Sequence, residues 1–143
     1  MKKKSSDQLS EKVIINSLLK KLNFNKVGTF NFENDAAYLS NSKNYKTIIT
    51  TDSITENIDF FSNDPPESVA QKLVCVNLSD LSAMGSLPIA YTLNLSLTSK
   101  ININWLKRFT NRLFKLQKQY NFYLLGGDIS NSSELTLSAN FFG

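Results

Sequence analysis

The sequence predicts an α+β domain, with its strands in one mixed sheet and long helices on one face. Two observations carry this. Helical periodicity recurs in three stretches, Ser10–Leu22, Glu67 to Gly85 and Asn104–Tyr120. Between and after them lie alternating or β-branched runs at Tyr45–Thr51, Ile89–Leu97 and Leu135–Phe142, with a short apolar run at Phe122–Leu125. A third observation limits the size. A chain of 143 residues is long enough for one domain with a real core and short for two.

Composition narrows the chemistry. Hydrophobic residues make up 41% and charged residues 20%, the profile of an ordinary globular chain. No apolar run approaches the length of a bilayer span, and the basic, polar MKKKSSDQLS start has no signal peptide's apolar centre. The single cysteine, Cys75, sits inside an apolar run, so no intrachain disulfide or cysteine-based zinc site is expected. A buried thiol and a reducing, cytoplasmic setting are the expectation. There is no histidine, which removes the commonest general base and transition-metal ligand. The net charge of +4 comes largely from Lys2–Lys4 and Lys107–Lys118. The aromatics follow core spacing instead of interleaving with those bases, so no nucleic-acid surface is predicted.

In chain order, Ser10–Leu22 is a packing helix with Val13, Ile14, Leu18 and Leu22 on one face. Asn23–Phe32 is a polar connection, followed by a turn and a short strand at Glu33–Leu39. The YKTIITT strand ends at Asp52 and Ser53, and a loop from Ile54 to Pro66 carries Glu56, Asp59 and Asp64. The next helix contains LVCVNLSDLSAMG, Leu73–Gly85. Gly85 is expected just past its end, and Pro88 forbids continuation. Asn77 and Asp80, three apart, share a face of it. A carboxylate inside so apolar a run is costly unless paired or metal-bound, although an isolated LSD triplet also suits a helix whose Asp80 turns to solvent. Trp105, Phe109, Leu113 and Leu116 form a core stripe on the last helix. Phe122–Leu125 runs into a Gly126-Gly127-Asp128 turn, whose glycines can expose N–H groups to phosphate.

Four carboxylates, Asp35, Asp52, Asp80 and Asp128, stand beside small or hydroxyl residues at the ends of elements or on the central helix. Each alone has an ordinary explanation, a turn for Asp35, Asp52 and Asp128 and a solvent-facing helix position for Asp80. Together, they would repel without a cation. Hard oxygen donors suit Mg²⁺, which usually shares its shell with phosphates. That combination points to phosphoryl chemistry through bound metal ions. A phosphate acceptor needs no strong base, because its second pKa is about 6.

These residues carry a resemblance. Val76–Pro88 (VNLSDLSAMGSLP) closely resembles the signature of the thiamine-monophosphate kinase family, within the aminoimidazole ribonucleotide synthetase superfamily. Asn34–Leu39 (NDAAYL), Ile49–Asp52 (ITTD) and Leu124–Asp128 (LLGGD) follow the family's order and distances, so the likeness runs from about Gly28 onward. It implies a tail and helix over 1–27 and, over 28–143, the family's N-terminal α+β domain without its second domain. That domain would pair with a twin into a β-barrel. The resemblance further implies ATP and Mg²⁺, and γ-phosphoryl transfer to thiamine phosphate to give thiamine diphosphate. By motif, Asp35, Asp52, Asp80 and Asp128 would bind metal, with Thr50 and Thr51 adding oxygens, and Gly127 with Asp128 would meet the nucleotide.

Some positions depart from the pattern. Glu33-Asn34-Asp35-Ala36 replaces the usual GDDA, and Ile129-Ser130-Asn131 replaces threonines and an arginine after GGD. Asp59 stands where a substrate-side histidine is usual, and so becomes the acceptor-side candidate. These departures leave two alternatives open: a non-catalytic dimerising or nucleotide-binding module, and a related phosphotransferase with another acceptor. Selenophosphate synthetase shares a related LSD pattern but usually has a reactive N-terminal cysteine, whereas Cys75 lies within the helix.

Overall fold

The computed structural model describes Phe30, Glu33, Asn34 and residues 36–40 and 46–143. The expected helix at Ser10–Leu22, Gly28 and Asp35 lie outside these residues. The described elements are β1 (Ala37–Ser40), β2 (Lys46–Thr55), α1 (Pro66–Ala83), β3 (Ala90–Leu97), α2 (Ile103–Tyr120), β4 (Tyr123–Asn131) and β5 (Thr136–Phe142). One mixed sheet takes the order β1-β2-β5-β3-β4. Among the described strands, only β3 and β4 pair in parallel, as expected for two strands joined by a helix.

One face of the sheet is apolar, and period two explains it. Ile48, Thr50 and Ile54 of β2, Tyr91, Leu93 and Leu95 of β3, and Leu137, Ala139 and Phe141 of β5 are all buried. Helix α1 lies against β2 and β5 and packs on α2. It buries Val69, Ala70, Leu73, Val74, Asn77 and Leu81 at helical spacing. Each fully buried aliphatic side chain contributes about 1.5–3 kcal/mol. Phe109, Leu113 and Leu116 of α2 join the same core. Tyr91 stacks on Phe141 at 5.0 Å, with Phe122 edge-on to both. Burial pushes the Tyr91 phenol up to about 12.

Helix ends follow their caps. Asn102 accepts the amides of Asn104 and Trp105, each at 3.0 Å, and so starts α2. After α1, Gly85 takes φ +67°. Its amide reaches Ser82 O while Ser86 N reaches Leu81 O, both at 2.9 Å, which closes the helix in a Schellman motif.

Two expected boundaries shift. Strand β2 continues past Thr51 to Thr55, so Asp52 and Ser53 lie inside it. The β5 ladder is the reason, since pairing runs unbroken from Ile49↔Phe142 to Thr55↔Thr136. The Gly126-Gly127-Asp128 segment is likewise strand and not turn. Parallel pairing of β4 with β3 continues from Gly126 to Asn131. Leu125 has no partner of its own, because Tyr91 faces Leu124 and Thr92 faces Gly126. That is a bulge of one residue. Beyond it, a Cβ on Gly127 would overlap the Leu93 carbonyl and stand 2.6 Å from its carbon. Glycine is therefore required there by backbone-to-backbone approach within the sheet.

Candidate metal and phosphate site

The site begins with alternation along β2. Thr50, Asp52 and Ile54 point to the helix-covered face, and Thr51, Ser53 and Thr55 to the other. Asp80, in the last turn of α1, meets the first set. Thr50, a residue only 4% exposed, donates its hydroxyl to Asp80 Oδ2 at 2.6 Å. Asp52 joins them. Its carboxyl is held above the usual aspartate range, chiefly by burial, then by the charge of Asp80 and by a hydrogen bond shared with it. Two carboxylates and a hydroxyl thus converge between β2 and α1. All the donors are hard oxygens, the set that suits Mg²⁺. A divalent cation there would offset the repulsion that now favours a proton on Asp52.

The other expected residues lie elsewhere. Thr51 is on the opposite face, with its hydroxyl bonded to Asn140 Oδ1 and to Ala139 O. Gly127 shares the transverse row of Asp52, through Ala139 and Leu93. Three strand spacings separate the two, roughly 14 Å. Asp128 is in the next row, with Asn94, Ser138 and Ser53, on the face away from the helices. Among the described residues, no three histidine, cysteine or acidic side chains are close enough to share one ion. The carboxylate of Asp59 accepts the Thr55 amide at 2.8 Å, and Lys72 donates to its carbonyl. It therefore fixes the turn that follows β2.

Sequence reasoning did not foresee the polar face of the sheet. Ser53 meets Ser138 at 2.8 Å, Thr55 meets Thr136 at 3.1 Å, and Asn140 donates to Thr92 at 2.8 Å. The signal was present as hydroxyl or amide residues at every second position of TTDSIT and LTLSAN. Nor did sequence reasoning find the bidentate pair of Arg108 and Glu67, 2.7 Å at both contacts, which ties α2 to α1.

Among the described residues, a mixed five-stranded sheet, two helices and an oxygen cluster between strand and helix define an α+β domain with a candidate hard-cation site. Residues 33–143 match the model of the AIR synthase related protein, N-terminal domain, and the chain belongs to that family. It is similar to the thiamine-monophosphate kinases of Haemophilus influenzae and of Buchnera aphidicola from Acyrthosiphon pisum, 40% and 39% identical over 109 residues. Each alignment covers 76% of this chain and 33% of the relative, so the chain spans about a third of the curated relatives it matches. In structure it is similar to AaThiL complexed with AMPPCP and TMP, with TM-score 0.85 and 27% identity over 98% of this chain and 43% of that one.

Proposed function

We propose that this chain is the N-terminal, kinase-type domain of an Mg²⁺- and ATP-dependent thiamine-phosphate kinase. In this reading the domain comprises residues 28–143. The reading is carried by the convergence of Asp52, Asp80 and Thr50 in a fold similar to a kinase structure holding AMPPCP and TMP. In this reading Asp52 and Asp80 hold the cation, Thr50 orients Asp80, and Asp35 completes the acids. Bound Mg²⁺ neutralises charge on the transferring phosphates. Asp128 and Gly127 serve the nucleotide from β4, three strands across the sheet, with Asp128 on the polar face. Thr51 contributes its oxygen on that same polar face. Asp59 remains the acceptor-side residue, since only one of its carboxylate oxygens is bonded to Thr55. Phosphoryl transfer to thiamine phosphate yields thiamine diphosphate.

A homodimer is part of the same proposal, with two sheets closing into a barrel in a cytoplasmic protein. The edge strand β4 supports it. Leu124, Leu125 and Ile129 are 46%, 57% and 71% exposed there, and an open apolar edge invites pairing. No described helix is long and apolar enough to cross a membrane.

The test supplies Mg²⁺, ATP and thiamine phosphate to the chain, alone and with the remaining two-thirds of a relative as a second polypeptide. Thiamine diphosphate above a no-enzyme control supports the reading, and none in either condition overturns it. The sequence departures at Asp59 and at Ile129-Ser130-Asn131 favour one competing reading, a dimerising module that binds nucleotide without turnover. That module would bind ATP in the same mixture and form no product.

A further inference from the structure

Asn77 is wholly buried on the sheet-facing side of α1, among Leu73, Val74 and Leu81. Its Nδ2 donates back to Leu73 O at 2.9 Å. Its Oδ1 has no hydrogen-bond partner, and no other buried side-chain nitrogen or oxygen among the described residues is left so. An apolar residue would fill this position without leaving an acceptor stranded, as Leu73 and Leu81 do one turn to either side. Asp80 lies three residues on, and side chains so spaced neighbour one another on a helix. An amide oxygen and an ionised carboxylate are both pure acceptors. Neither can satisfy the other, so a group that serves both must donate twice. Water is the smallest such donor, and buried waters typically bridge polar atoms of this kind.

We propose that Asn77 is a positioning residue for the Asp52–Asp80 site, its amide oxygen accepting one hydrogen of a buried water whose other hydrogen reaches Asp80. The water and Thr50 then hold the Asp80 carboxylate from two sides, so that its orientation is set before a cation arrives. This inference rests on the reading of Asp52 and Asp80 as a cation site. It predicts that Asn77 governs affinity for the ion more than stability of the fold. Groups that orient metal ligands typically change affinity 10- to 100-fold.

The experiment titrates MgCl₂ into the purified chain by calorimetry, for the wild type and Asn77→Leu, with thermal melting of each in EDTA. The expected result is Mg²⁺ affinity at least about tenfold weaker in Asn77→Leu, with a melting temperature equal to or above the wild type. Equal affinity in the two proteins overturns the proposal and leaves the cation site standing. Absence of Mg²⁺ binding by the wild type overturns both. Should Asn77→Leu fail to fold, a crystal structure of the Mg²⁺-loaded wild type decides. A water bonded to Asn77 Oδ1 and Asp80 supports the proposal, and an Asn77 Oδ1 without a donor overturns it.

Discussion

The hydroxyl of Thr50 donates to Asp80 Oδ2 at 2.6 Å, across 30 residues of sequence. One bond therefore joins the middle of β2 to the last turn of α1. It also holds the carboxylate that Asp52 must face. Thr50→Val preserves shape and removes the donor. It should cost about 1.5–3 kcal/mol, the range for a hydrogen bond to a charged group, and should weaken Mg²⁺ binding. Urea unfolding with and without Mg²⁺ measures both effects.

The acid pair gives a pH dependence. Asp52 is raised above 3.8, first by burial and then by Asp80. The folded state thus holds this proton more tightly than the unfolded chain. Its contribution to stability is fully present below 3.8 and is lost as pH rises through the folded pKa. In EDTA, the urea midpoint of the wild type should fall over that window. The midpoint of Asp52→Asn should fall less, and added Mg²⁺ should flatten the wild-type profile.

Gly127 separates two roles that sequence cannot tell apart. An alanine there would press its Cβ into the Leu93 backbone, whereas at Gly126 nothing lies within 4 Å of the added carbon. Gly127→Ala should destabilise the β3–β4 pair by several kcal/mol, as overpacking against backbone does, and far more than Gly126→Ala. Chemical denaturation of the two variants, without nucleotide, makes the comparison.

Asn102 provides a control remote from the acids. Its side chain receives two amides at the start of α2. Asn102→Ala should cost about 1 kcal/mol and leave Mg²⁺ affinity unchanged. Thermal melting and calorimetry check the two halves of that statement.

These variants also mark what the sequence could tell. Periodicity was sufficient for α1, α2, β3 and β5, because their buried residues repeat at 3.6 or 2 positions. Gly85 was legible as the end of α1, whereas the Asn102 cap of α2 was not read from the sequence. The limits of β2 and β4 were not legible, because a ladder partner extended each of them. Thr136 of β5 carries β2 as far as Thr55, and β3 carries β4 through its glycines. The meeting of Asp52 with Asp80 was expected from motif order alone. The projection of Thr50 and Thr51 to opposite faces follows from strand alternation alone, but motif matching grouped the two; which of them meets Asp80 required the packing of α1 on β2. Burial of Asn77 with one unpaired atom depends on packing against β2 and β5, which no local pattern encodes.

The central claim is that Asp52 and Asp80 bind a divalent cation, and the most direct test is calorimetric titration of Mg²⁺ into the metal-free chain, beside Asp52→Asn and Asp80→Asn. The account predicts saturable binding by the wild type, weakened at least tenfold in each variant, with both variants still folded by circular dichroism. Wild-type affinity retained in Asp80→Asn would contradict it.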